Sequence, residues 1–170
     1  RLLRQRARLP VAPRPDLRLA PRPDLLLARS PGLLLAPRTD LHLAPLPGTD
    51  GALACAVMHV LLAEGYADRD YLAKHSDFSP AVEAHFMQRS PEWAASITGL
   101  TPTQIVEFAR LYGSTKRSYL RVGYGFTRQR NGSAAMHAVS CLPAMTGAWA
   151  HPGGGALYGQ SGLYGLKRTF

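Results

Sequence analysis

The chain has 170 residues, 46% hydrophobic and 18% charged. That is enough apolar content for one ordinary domain with a buried core, and too little length for a large multi-domain enzyme. Twenty basic against 11 acidic residues leave a net charge of +9, nearly all of it arginine, since only Lys74, Lys116 and Lys167 are lysine. Two cysteines, Cys55 and Cys141, exclude a disulfide scaffold, a four-cysteine zinc site and an iron–sulfur cluster held by this chain alone. No run of about 18 uncharged apolar residues offers a membrane span. With Arg1 at one end and Thr169-Phe170 at the other, the chain reads as an internal fragment.

Residues 1–39 form a proline- and arginine-rich, low-complexity segment. Ala12-Pro13-Arg14-Pro15-Asp16-Leu17 recurs at Ala20-Pro21-Arg22-Pro23-Asp24-Leu25 and, altered, at Ala36-Pro37-Arg38-Thr39-Asp40-Leu41. Nine of the 14 prolines precede Gly51, and each fixes φ, removes a donor and extends its predecessor, which disfavours helix there. The segment reads as an extended basic tail. A nucleic-acid-binding arm is the sharper alternative, but no aromatic residue precedes Tyr66 to stack on bases. Asp40 to Ala44 alternates like a strand, leading into a turn at Pro45–Gly48.

From residue 40 to 170 the punctuation is that of a folded domain. Thr49 or Asp50 can cap a helix that begins near Gly51 and is stopped by Gly65. Its apolar residues cover most of its surface, which predicts deep burial. A second helix starts after Asp68. Ser79-Pro80 and Ser90-Pro91 pair a cap with proline at the first helical position, opening helices over 81–88 and 92–97. Thr101-Pro102-Thr103-Gln104 is a reciprocal capping box for a helix reaching Gly113. Ser118–Val122 reads as a buried strand, Gly123–Gly132 as a glycine–arginine loop, and 133–147 as a helix bent by Pro143. Strand, helices, strand, loop, helix is the grammar of a layered α/β domain, helix-rich here and short of strands.

Two loops carry chemistry. Pro47-Gly48-Thr49-Asp50-Gly51 precedes the buried helix, where glycine admits a ligand and free N–H groups attract an anion. Asp50 suits a base better than a phosphate: a carboxylate accepts two parallel hydrogen bonds from the N1–H and exocyclic amine of guanine. The plainer alternative is that Thr49 and Asp50 merely cap the helix. Gly123 to Gly132 lies at the carboxyl end of a strand and before a helix, where open α/β sheets bind ligands. Arg128 and Arg130 suit phosphates or a polar heterocycle, and Tyr124 suits packing on a ring; a solvated surface turn is the alternative.

Other candidates read as structural. His59 and His137 sit in apolar helices as hydrogen-bonded structural histidines. No two histidines have metal-ligand spacing with an acidic neighbour. Cys55 and Cys141 read as small core fillers, Trp93 and Trp149 as packing residues, and Glu92 as a first-turn carboxylate favoured by the helix dipole.

The order of these pieces resembles the molybdopterin oxidoreductase family of formate dehydrogenases, nitrate reductases and dimethyl sulfoxide reductases. Asp40-Leu41-His42-Leu43-Ala44-Pro45-Leu46-Pro47-Gly48-Thr49-Asp50-Gly51-Ala52-Leu53 looks like one of its signature segments. Glu64-Gly65, Asp70-Tyr71-Leu72, Pro91-Glu92-Trp93-Ala94-Ala95 and Thr98-Gly99 follow in the family's order. So do Gly123-Tyr124-Gly125, Arg130-Asn131-Gly132, Leu142-Pro143-Ala144-Met145-Thr146-Gly147 and Pro152-Gly153-Gly154-Gly155, the likeness covering about residues 40 to 165.

The resemblance implies a partial three-layer α/β/α (Rossmann-like) domain and a molybdenum ion held by two molybdopterin guanine dinucleotides. It implies that Gly48, Thr49 and Asp50 contact the guanine nucleotide end of one cofactor, and that Tyr124, Gly125 and Arg128 lie near the pterin. The family commonly has glutamine at the position of Arg128, so Arg128 or Gln129 is its equivalent. The family's iron–sulfur cysteines and metal-ligating residue lie upstream of anything matched here, leaving this chain no catalytic residue and no metal ligand. An iron–sulfur cluster belongs to the part preceding it. The implied whole is a two-electron oxidoreductase acting on a small substrate (formate, nitrate, or an S- or N-oxide) with an electron-transfer subunit, cytoplasmic rather than periplasmic. This piece alone is expected to be inactive. The competing reading is a non-enzymatic basic α/β module binding nucleic acid through its arginine-rich tail.

Overall fold

The computed structural model describes residues 41–159; the proline–arginine repeat of residues 1–39, Asp40 and residues 160–170 lie outside the described residues. Helix α1, Asp50–Ala63, occupies the centre. Apolar residues ring it on all sides, so it has no face to give to water. It packs against α6 (Gly132–Met145), α4 (Pro91–Thr98), α5 (Pro102–Ser114) and α3 (Pro80–Met87). Val57, Met58 and Leu61 are fully buried, each worth about 1.5–3 kcal/mol of apolar transfer. One core cluster joins α1 to Leu72, Ala109, Tyr112, Leu142 and Met145; a second joins Ala56 to Ala94, Leu100 and Ile105.

The stop signals act as read. Gly65 takes φ +75°, Tyr66 N donates to Leu61 O at 2.9 Å and Gly65 N to Leu62 O at 3.4 Å, the paired bonds that close a helix through a left-handed glycine. Helix α2, Arg69–His75, is capped by Asp68, whose carboxylate accepts from Tyr71 N at 2.9 Å. Ser79 and Ser90 cap α3 and α4 with proline following. The Thr101/Gln104 capping box is complete at the start of α5. Bidentate pairs Arg69–Glu83 and Arg110–Glu64 tie α2 to α3 and α5 to the end of α1, and each guanidinium holds its carboxyl below the usual range.

Strand β1, Tyr119–Val122, pairs in parallel with β2, Gly155–Tyr158, Tyr119 opposite Gly155 and Val122 opposite Tyr158. With α6 between them in sequence the two strands form a β–α–β unit, which makes the described part α/β and helix-rich. The parallel connection needs a crossover, and α6 provides it.

Several expectations are corrected. Residues 41–46 form no strand: Leu46 N donates to Thr98 O at 2.8 Å, but no strand among the described residues supplies a ladder, and Leu43 packs into the second core cluster instead. The strand expected to be buried is half-open, with Tyr119 50% exposed and Arg121 exposed, because only one face is covered. Helix α6 ends at Met145 rather than at residue 147, with Pro143 inside it as expected. His137, expected as a hydrogen-bonded structural histidine, is exposed on α6. Trp149 does pack, its ring lying over the backbone of Gly155, but it stays 49% exposed. Strand β2 was missed, since its glycine run reads as a breaker.

Candidate functional site

Helices α1 and α6 run side by side in the same direction. At one end Gly51 faces Ala135 so closely that a β-carbon on Gly51 would stand 3.2 Å from the Ala135 Cα. At the other end Asp68 N, just beyond α1, donates to Met145 O at 2.7 Å. Both N-termini therefore lie together, and the loops leading into them meet.

The first loop turns at Gly48, with φ +88°, a conformation that glycine adopts without steric cost. Thr49 stands at the N-cap position of α1 but does not cap it. Its Oγ1 donates backward to Leu46 O at 2.6 Å and its N–H to the same oxygen at 3.2 Å, which tightens the turn. The side chain of Asp50, half-buried in the first turn, makes no hydrogen bond or ion pair among the described residues. Neither side chain is spent on the capping that the plainer reading assigned to it.

The second loop leaves the carboxyl end of β1, makes one 3-10 turn over Tyr124–Arg128 and enters α6 through Asn131. Asn131 Nδ2 donates to Gly48 O at 2.9 Å across 83 residues of sequence. Gln129 lies over the same glycine, its Oε1 standing 2.8 Å from where a Gly48 β-carbon would be. Tyr124, 41% exposed, Gly125 and Arg128 belong to the same connection and face solvent. A β-carbon on Gly123 or Gly125 would meet nothing within 4 Å, so the chain's own packing does not demand these glycines.

The structure thus joins Gly48, Thr49 and Asp50 to the loop that carries Tyr124, Gly125 and Arg128, through Gln129 and Asn131. Asn131 was missed as a site residue. Its signal was only its place in the Arg130-Asn131-Gly132 motif, and a side chain aimed at a distant carbonyl leaves no mark on local sequence. Among the described residues no group of three or more His, Cys, Asp and Glu stands together to hold a metal ion, and no helix is long and apolar enough to cross a membrane. His59 fills the structural role expected of it, with Nδ1 at 3.2 Å from Phe86 O. Cys55 and Cys141 are half-buried against the main core, and burial pushes both thiols up.

The molybdopterin oxidoreductase family profile matches residues 31–160, which takes in every described element. The chain belongs to the molybdopterin oxidoreductase family. Among its relatives, Probable oxidoreductase YoaE of Bacillus subtilis is 38% identical over 117 residues, 69% of this chain and 17% of that protein. Probable dimethyl sulfoxide reductase chain YnfF of Escherichia coli is 36% identical over 120 residues, 59% of this chain and 15% of its own length. The F420-dependent formate dehydrogenase 1 subunit alpha of Methanococcus maripaludis is 31% identical over 122 residues, 71% of this chain and 18% of its own. The molybdopterin oxidoreductase segment therefore spans less than a fifth of the length of these relatives.

Proposed function

We propose that the chain is part of the catalytic subunit of a molybdenum-dependent oxidoreductase. Within it, Gly48, Thr49 and Asp50 hold the guanine nucleotide end of a molybdopterin guanine dinucleotide, and Tyr124, Gly125 and Arg128 face the pterin. The observation that carries this reading is the meeting of the two loops at the paired N-termini of α1 and α6. The residues fit such a group. First-turn N–H groups lack intrahelical acceptors, and two parallel helices add their partial positive charges at one place, which favours the pyrophosphate. A carboxylate without a partner among the described residues, beside that site, is matched to a ligand edge that donates two hydrogen bonds, as guanine does. The open space at Gly123 and Gly125 leaves room for a flat ring system against the backbone.

When bound, the molybdenum cofactor supplies two-electron exchange with a small substrate of the formate, nitrate, or S- or N-oxide kind. The residues here bind and orient it. The relatives bearing dimethyl sulfoxide reductase and formate dehydrogenase names favour this class without choosing between its substrates. The metal ligand, an iron–sulfur cluster and the docking of an electron-transfer subunit belong to the protein outside residues 41–159. The parallel β1–α6–β2 unit supports a three-layer α/β/α, Rossmann-like architecture for the whole, and the placement in the cytoplasm is part of the same proposal.

The test is Asp50→Ala in the complete catalytic subunit, with molybdenum and released guanine nucleotide measured per chain. Loss of a charge-assisted bidentate contact is expected to weaken nucleotide retention by about ten- to a hundredfold. Unchanged nucleotide content would falsify the assigned contact.

A further inference from the structure

Gly48 is gripped twice from the other loop, by the amide of Asn131 on its carbonyl and by the side chain of Gln129 over its α-carbon. We infer that Asn131 is a positioning residue that fastens the two cofactor-facing loops to each other, so that their relative placement is built before any ligand arrives. The assignment of a nucleotide to this site rests on the reading above; the fastening itself does not.

Three features single Asn131 out. Its Nδ2 donates to Gly48 O across 83 residues of sequence, from one loop to the other. It stands at the N-cap of α6 yet makes no side-chain cap bond. A residue type favoured at caps is here used across the chain instead of on its own helix. Its anchor is also the one residue of the first loop with positive φ, where the carbonyl direction is set by a turn that a side chain would strain. Holding that carbonyl fixes how Thr49 and Asp50 enter α1. A loop so tied loses less freedom when a ligand binds, and that difference appears as affinity.

The experiment compares hydrogen exchange of the amides of residues 48–52 and guanine nucleotide retention in the complete catalytic subunit, for the parent, Asn131→Ala and Asn131→Asp. Asn131→Ala removes the donor without adding charge, and no cap bond of α6 is lost with it. Asn131→Asp keeps shape and cap preference, and its charge favours the helix N-terminus, but it sets a carboxylate against a carbonyl. Both variants are expected to raise exchange at 48–52 in the cofactor-free protein and to weaken nucleotide retention by about three- to tenfold. A merely helix-supporting role predicts instead that Asn131→Asp behaves as the parent in the cofactor-free exchange, and that result overturns the proposal. So does parental exchange in Asn131→Ala. Asp50→Ala run alongside separates the two readings. If it retains nucleotide while the Asn131 variants still loosen 48–52, the fastening stands and the guanine assignment fails. If it loses nucleotide while both Asn131 variants match the parent in exchange and retention, the guanine assignment stands and the fastening fails.

Discussion

At the scale of single residues, the informative positions are those whose chemistry the chain's own packing leaves unused. The Asp50 side chain is half-buried without a partner among the described residues, and Thr49 turns its hydroxyl away from the helix that it precedes. Gly48 is the opposite case, fully specified by its surroundings. Gly48→Ala would bring a β-carbon to 2.8 Å from Gln129 Oε1 at φ +88°. The flexible glutamine can shift, but the backbone strain stays, so a loss of about 1–2 kcal/mol is expected in urea unfolding. The two thiols give a pH prediction. Burial raises Cys55 and Cys141 above the ordinary 9.0, so the folded chain keeps protons that the unfolded chain releases. Their contribution is constant below about pH 9 and falls as pH rises past it through the higher folded values. Denaturation midpoints measured from pH 7 to 10 should decline at the alkaline end. Replacing both cysteines by alanine should flatten that decline, and thiol labelling at neutral pH should be slower in the folded than in the unfolded chain.

At the scale of elements, the decisive contact is between α1 and α6. Gly51 and Ala135 are small, so the two backbones approach at the end where the loops converge. Gly51→Val should wedge the helices apart, cost about 1–3 kcal/mol by chemical denaturation, and lower nucleotide retention in the complete subunit more than its stability loss accounts for. Helix limits were the most legible part of the sequence because caps are local: Asp68, Ser79, Ser90 and Thr101 each bond a backbone N–H three residues ahead. Loss of the Thr101 cap by Thr101→Ala is expected to cost about 1 kcal/mol in the same assay. Strands were legible only in part. Tyr119–Val122 carries β-formers, whereas Gly155–Tyr158 becomes a strand through its partner, and Asp40–Ala44 alternates without acquiring one among the described residues.

At the scale of the whole molecule, α1 is the keystone, packing against α3, α4, α5 and α6. Leu61→Ala is expected to cost about 2–5 kcal/mol, measured by urea unfolding, and to loosen the junction with α5, where Gly113 packs against the Leu61 side chain. The open face of the sheet, with Tyr119, Arg121 and Leu157 exposed, belongs to a chain that spans less than a fifth of its relatives' length. By itself the amino-acid order determined the family, the helix starts and stops, the burial of α1 and the two loops worth watching, because capping, glycine turns and motif order are written in neighbouring residues. Only the tertiary structure decided that those loops touch, that Thr49 leaves its cap unused and that Asn131 reaches Gly48. Contacts across 83 residues depend on how helices pack, and packing is set by side-chain volumes summed over the whole core rather than by any local pattern.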